Sequence, residues 1–201
     1  MIGIIDYGLG NVQSFINSYR ILGIKAVPVR YRDDYKKVDR IILPGVGAFD
    51  AAIERLANSE VYVDLDNLVI KNSLPVLGVC VGLQIMARKS EEGNKKGLCW
   101  INADVKIIRK LKNYPLPHMG WNEIHVKNDK TQLLKDVDKS SFYFLHSYYL
   151  SMDNQVDQIA TANYGYEYTA AVSNKNIFGC QFHPEKSHDP GLKILENFAK
   201  I

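Results

Sequence analysis

Apolar positions gather in short compact runs along the first half of the chain and spread into longer, looser patterns along the second. Residues 1–6, 25–30, 40–43 and 75–79 are rich in Val and Ile without strict alternation, as strands buried on both faces should be. Between and after them, residues 11–22, 49–56, 61–71 and 81–89 are helical candidates. Strand and helix in turn predict a parallel sheet with right-handed crossovers. From about residue 98 the segments 98–110, 121–127, 141–150, 158–163 and 168–182 are β-rich and predict antiparallel strands and hairpins, and residues 192–201 close the chain as a helix. No repeat, low-complexity tract or long linker divides the chain. The expectation is one domain over residues 1–201 with an α/β fold: a mostly parallel central sheet flanked by helices, with an added antiparallel β-rich region.

Composition narrows the partners. At 201 residues and 46% hydrophobic the chain can bury one sizeable core. Its 25 Lys and Arg against 22 acidic residues leave a net charge of only +3, and the basic side chains are scattered, so nucleic acid is not the expected ligand. Cys80, Cys99 and Cys180 are odd in number and unpatterned in spacing, which suits neither a disulfide framework nor a zinc motif and fits a reducing cytoplasm. The run after Met1 stops at Asp6, too short and too uncharged for a signal peptide. No run approaches the roughly 18 apolar residues of a membrane span, so a soluble cytoplasmic protein is expected.

The strongest chemical signal is Gly78-Val79-Cys80-Val81-Gly82, where an apolar strand gives way to a helix. That is the form of a nucleophile elbow: a sharp turn strains the nucleophile's backbone, and glycines two positions to either side give the side chain clearance. A helix N-terminus favours thiolate over thiol, and the Val81 amide could hold an oxyanion. Alone, Cys80 could equally be a small buried hydrophobe. A base shifts the balance. Gln181-Phe182-His183-Pro184-Glu185 ends another apolar run, and in extended chain His183 and Glu185 would share a face, with Pro184 holding His183 in the β region. Cys, His and an orienting acid make an acyl-transfer constellation with a thioester intermediate. Pro44-Gly45-Val46-Gly47 could give a second oxyanion donor, or merely turn the chain.

Other features carry less. Gly8 and Gly10 follow a strand and precede a helix, but Gln13 stands where a dinucleotide fingerprint needs a third small residue, so the segment is taken as a structural turn or a partner contact. His118, His125, His146 and His188 show no metal spacing, and no metal is expected. Phe142, Tyr143, Phe144, Tyr148 and Tyr149 are expected mainly in the core.

Gly78-Val79-Cys80-Val81-Gly82-Leu83-Gln84 together with His183-Pro184-Glu185 resembles the class I, triad-type glutamine amidotransferases, whose fold is flavodoxin-like. Within that family, Asp6-Tyr7-Gly8-Leu9-Gly10-Asn11, Pro117-His118-Met119-Gly120-Trp121-Asn122 and His146-Ser147-Tyr148-Tyr149 resemble the glutaminase subunits of imidazole glycerol phosphate synthases, nearly end to end. The resemblance implies hydrolysis of glutamine without a cofactor, and delivery of ammonia to a barrel-shaped cyclase subunit in a heterodimer of histidine synthesis. It implies Cys80 as nucleophile, His183 as base and Glu185 as orienting acid. Gln84, Glu92, Ser147 and Tyr148 match glutamine-holding positions, and Gly45, Val46, Gly47 and Val81 match the oxyanion loop and elbow. Asn11, Met119, Trp121, Tyr143 and Lys186 match the surface facing the cyclase. His188-Asp189-Pro190-Gly191-Leu192 and Gly97-Leu98-Cys99-Trp100-Ile101 depart from the histidine-pathway pattern and are similar to paralogues that supply ammonia for amidino groups on surface sugars. A free-standing cysteine peptidase would share elbow and His but have no use for Gln84 or for His146-Ser147-Tyr148.

Overall fold

The computed structural model describes residues 1–127 and 131–201. The chain runs β1 (Ile2–Ile5), α1 (Val12–Ile21), β2 (Ala26–Val29), β3 (Arg40–Gly45), α2 (Phe49–Ala57), α3 (Tyr62–Asp66), β4 (Val76–Cys80) and α4 (Val81–Gln84). It continues as β5 (Ala103–Ile107), β6 (His118–Val126), β7 (Ser141–His146), β8 (Tyr148–Met152), β9 (Gln158–Asn163), β10 (Glu167–Asn174), β11 (Ile177–Cys180) and α5 (His188–Ala199). Nine strands form one sheet in the order β2-β1-β3-β4-β11-β10-β9-β6-β7, and β5 pairs with β8 in a second. Pairing is parallel from β2 to β11 and antiparallel from β11 to β7.

Burial explains the two patterns. Every residue of β1, β4 and β11 is buried, in the parallel half of the sheet against which α1 and α4 pack. β7 alternates instead: Phe142, Phe144 and His146 face inward while Tyr143 and Leu145 face out. Its partner β6 places Met119 opposite Leu145 and Trp121 opposite Tyr143, so these four share the outer face, with Met119 64% and Trp121 51% exposed. None of the described helices is long and apolar enough to cross a membrane.

Several elements differ from their expected extent. The helix expected over residues 81–89 ends at Gln84, because the carbonyls of Ile85, Met86 and Ala87 accept from the returning backbone amides of Leu98, Trp100 and Cys99. That occupation also keeps residues 98–102 out of the strand expected there, which begins only at Ala103. The run 141–150 breaks at Ser147 into strands of two different sheets, and 168–182 folds into the β10–β11 hairpin. The stretch 61–71 is helical throughout, but its second half, Asn67–Lys71, is a π-helix closed by Asn72 N–H on the Asn67 carbonyl. α5 starts at His188 rather than 192, with Pro190 in the first turn, where its missing N–H is not needed.

Candidate active site

β4, between β3 and β11, delivers Cys80 at the C-terminal end of the parallel strands at φ 55°, ψ −114°, a left-handed conformation that strains a residue with a Cβ. The neighbouring packing imposes it. A Cβ on Gly82 would overlap the Leu43 carbonyl and one on Gly45 would overlap the Gly82 backbone nitrogen, so β3 and the elbow touch backbone to backbone. A Cβ on Gly78 would stand 2.8 Å from Leu83 Cα, which is the clearance that lets α4 fold back over its own strand. Because α4 is one turn long, the elbow sets the free amides of a helical first turn beside Cys80 rather than the dipole of a long helix. The turn at residues 7–10 reaches the same place: Tyr7 OH donates to the Pro44 carbonyl at 2.8 Å, and Gly10, at φ +86°, lies against Pro44.

β11 brings His183 to the same end of the sheet. His183 N–H donates to the Tyr143 carbonyl at 2.9 Å, and the Ser187 hydroxyl donates to the His183 carbonyl at 2.6 Å while accepting from Tyr143 N–H at 2.9 Å. His183 Nδ1 lies 2.9 Å from Glu185 Oε1, and the two side chains are each 3% exposed. Their meeting does not come from extended chain. His183 itself is extended, but Pro184–Lys186 form a 3₁₀ turn that swings Glu185 back beneath the ring. Among the described residues the other oxygen, Glu185 Oε2, is buried without a hydrogen-bond partner, and the side-chain hydrogen bond of the carboxylate goes to the imidazole. Burial opposes charge on that ring, but hydrogen bonds to Cys80 and Glu185 outweigh it and raise His183 to about 10. The Glu185 carboxylate thus favours the protonated imidazole.

A cavity of about 250 Å³ opens over Cys80 and His183. Val46, Gly47, Val81, Gln84, Glu92, Ser147, Tyr148 and Lys186 line it, with Pro117, Leu145 and His146. Glu92 reaches it from the loop after α4, one oxygen held at 2.8 Å by Phe49 N–H at the start of α2. Val46 is 41% exposed and Gly47 sits at φ +87°, so the loop after β3 forms the open rim beside the elbow.

Residues 3–201 match the family model for glutamine amidotransferase class I. The chain belongs to the class I glutamine amidotransferases. It is 45% identical over 205 residues, with both chains covered completely, to a Leptospira borgpetersenii protein named imidazole glycerol phosphate synthase subunit HisH. A Bdellovibrio bacteriovorus protein of the same name is 46% identical, again over the whole of both chains. Among solved structures, one described as a glutamine amidotransferase superposes with a TM-score of 0.76 at 18% identity, covering 98% of each chain, which bears on the fold alone. The α/β architecture expected from the hydrophobic pattern is that of this family, although its main sheet is mixed rather than mostly parallel, because the β-rich second half pairs directly onto the parallel strands at β11.

Within this amidotransferase chain the tertiary structure gathers most of the expected residues. Cys80, His183, Val46, Gly47, Val81, Gln84, Glu92, Ser147 and Tyr148 share one cavity. Gly45 lies behind it, where it admits the elbow, and Glu185 stands behind His183. Met119, Trp121 and Tyr143 form an exposed strip, and the Lys186 ammonium, 5.8 Å from the centre of the Tyr143 ring, joins that strip to the cavity mouth. Asn11 has a local role: its side chain caps α1 by accepting from Ser14 N–H at 3.0 Å.

Sequence reasoning missed three contributors. His118 and His146, for which the sequence showed no metal spacing, face each other across β6 and β7 with Nδ1 and Nε2 3.2 Å apart. Burial pulls both down, His118 to about 4 and His146 to about 3, so both rings are neutral. No local spacing could reveal a pair made by strand register. Gln181 is fully buried with its amide nitrogen 3.7 Å from Cys80 Sγ. Its position two residues before His183 on an expected strand was an available signal.

Proposed function

We propose that the chain is the glutaminase subunit of an imidazole glycerol phosphate synthase, acting as a single domain that pairs with a barrel-shaped cyclase subunit. It hydrolyses L-glutamine to glutamate and ammonia, and the ammonia passes to the cyclase for histidine synthesis. The observation that carries the chemistry is the convergence of Cys80, His183 and Glu185 on one cavity whose rim meets the exposed Met119–Trp121 strip.

Cys80 Sγ attacks the side-chain amide carbon of glutamine. The oxygen that becomes negative is held by the Val81 N–H and by an amide of the Gly45–Gly47 loop. His183 gives its proton to the nitrogen, ammonia leaves, and a γ-glutamyl thioester remains on Cys80. His183 then takes a proton from water, which attacks the thioester, and glutamate departs as the sulfur regains its starting state. Glu185 keeps the imidazole oriented and compensates its positive charge. Glu92, with one oxygen held by Phe49 N–H, suits the α-ammonium of the substrate. On this reading the N–H of Val46, branched and placed at the rim, stays turned away until docking flips the peptide, which would leave the glutaminase nearly silent alone. Withholding one such donor costs about a hundredfold in rate.

A second reading has its own observation. His188, in the segment that departs from the histidine-pathway pattern, stacks on Trp121 with ring centres 5.2 Å apart and planes within 8°. The departure therefore lies on the proposed docking strip, as a different cyclase-like partner, serving amidino-sugar formation, would require. The test is glutamate release from glutamine by the purified chain, alone and with the same organism's histidine-pathway cyclase and that cyclase's nucleotide ligand. Strong activation supports the first reading. No activation, with a cyclase active on ammonia, favours the second.

A further inference from the structure

The wall of the cavity carries a chain of hydrogen bonds that the triad leaves unused, and around the Tyr148 carbonyl its directions are forced. The Tyr148 carbonyl can only accept, so His146 Nδ1–H at 2.8 Å and Gln84 Nε2–H at 3.0 Å both donate to it. With its proton on Nδ1 and its ring neutral, His146 offers a lone pair on Nε2, 3.2 Å from His118 Nδ1, which also lies 3.1 Å from the Tyr168 hydroxyl. His118 Nε2 lies 3.4 Å from the Asn122 amide, and that amide donates to the Asn163 carbonyl at 2.8 Å. At the other end Gln84 commits its second amide hydrogen to Gln181 Oε1 at 3.0 Å. Gln181 must therefore turn its amide nitrogen toward Cys80 Sγ, 3.7 Å away.

We propose that Gln181 is a positioning residue for the nucleophile: its amide N–H donates to the Cys80 sulfur, in a direction set by Gln84, whose own amide is oriented by the Tyr148 carbonyl. The inference rests on the reading of Cys80 as nucleophile. The sulfur has competing neighbours. The Leu145 carbonyl, 3.8 Å away, accepts from the thiol and so favours the protonated sulfur. Gln181 is the donor that holds the sulfur from the opposite direction. The same bookkeeping fixes Gln84: both its amide hydrogens are engaged, so the group it presents to substrate is its carbonyl oxygen, an acceptor for a substrate N–H.

The experiment measures the alkylation of Cys80 by iodoacetamide as a function of pH, with the exposed Cys99 of the same molecule as internal reference. Two variants are compared with wild type: Gln181→Met, which removes the donor, and Gln181→Glu, which keeps an acceptor for Gln84 but faces the sulfur with oxygen. The expected result is Cys80 alkylation slowed by about tenfold or more near neutral pH, with its pH dependence moved upward and Cys99 unchanged. In the complex with the cyclase, kcat for glutamine should fall while KM holds. Wild-type Cys80 rates in a folded variant would overturn the proposal. If wild-type Cys80 is itself no more reactive than Cys99 near pH 6, the nucleophile assignment fails instead. In the wild-type protein, the Gln181 side-chain amide resonances should shift as Cys80 ionises and stop shifting in Cys80→Ala; an amide indifferent to that titration would also overturn the proposal, whether or not the variants fold.

Discussion

Glu185 Oε1 lies 2.9 Å from His183 Nδ1 in a pocket that closes both side chains to solvent, and this contact is made within one 3₁₀ turn rather than across the sheet. Glu185→Gln keeps the shape but removes the charge that compensates the imidazolium. Glutamine hydrolysis by the complex should fall by about a hundredfold or more, read as glutamate release, while substrate KM changes little.

The same contact predicts a pH window for stability. His183 is raised to about 10 in the folded protein, above its unfolded value near 6.5, so its stabilisation is complete below about pH 6.5 and is lost as pH rises toward 10. The melting-temperature gap between wild type and His183→Asn should be widest near pH 6 and narrow steadily toward pH 10. A gap that widens over that interval would contradict the assignment.

Cys80 at φ 55° makes a prediction that chemistry alone would not. Cys80→Gly and Cys80→Ala should both abolish glutamine hydrolysis and leave the cyclase's ammonia-driven synthesis intact. Yet the glycine variant should be the more stable by about 1 kcal/mol, because only it relaxes the left-handed backbone. Denaturant melts of the two variants decide the point.

Gly82 and Gly23 separate packing from conformational freedom. A Cβ at Gly82 would overlap the Leu43 carbonyl, whereas Gly23, at φ +68°, faces open space. Gly23→Ala should cost about 1 kcal/mol, and Gly82→Ala about 3 kcal/mol or more together with glutaminase activity. Equal costs in denaturant titrations would show that β3 and the elbow are less closely apposed.

The His118–His146 pair responds to acid in the opposite sense from His183. Both rings are held neutral by burial, to about 4 and about 3, below the unfolded value near 6.5. At pH 5 the unfolded chain binds protons that the folded chain refuses, so stability is full above about pH 6.5 and declines as pH falls toward 4. His118→Asn, which removes one of the two, should flatten that decline in thermal melts between pH 7 and 4.

Legibility in the sequence followed the range of the interactions. The parallel half could be read because its strands are compact Val- and Ile-rich runs and its helices lie between them: β1, β2 and β4 fall within a residue or two of their expected limits. The elbow and the His183–Glu185 pair were visible for the same reason, since a strained turn needs its glycines at fixed offsets and an orienting acid must lie near its histidine. The helix after Cys80 was misjudged because its local pattern continues past Gln84, while the segment that competes for its carbonyls lies at residues 97–101.

The sequence by itself thus determined the periodicities, the place of the proposed nucleophile and the proximity of His183 and Glu185, all properties of side chains within a few residues of one another. Tertiary structure decided what those groups face. The Ser147 break sends β7 and β8 into different sheets, strand register sets His118 against His146 across 28 residues, and Gln181 reaches Cys80 across 101. Such contacts depend on which strands become neighbours, and that choice is made by burying the whole apolar surface at once, not by any short stretch of chain.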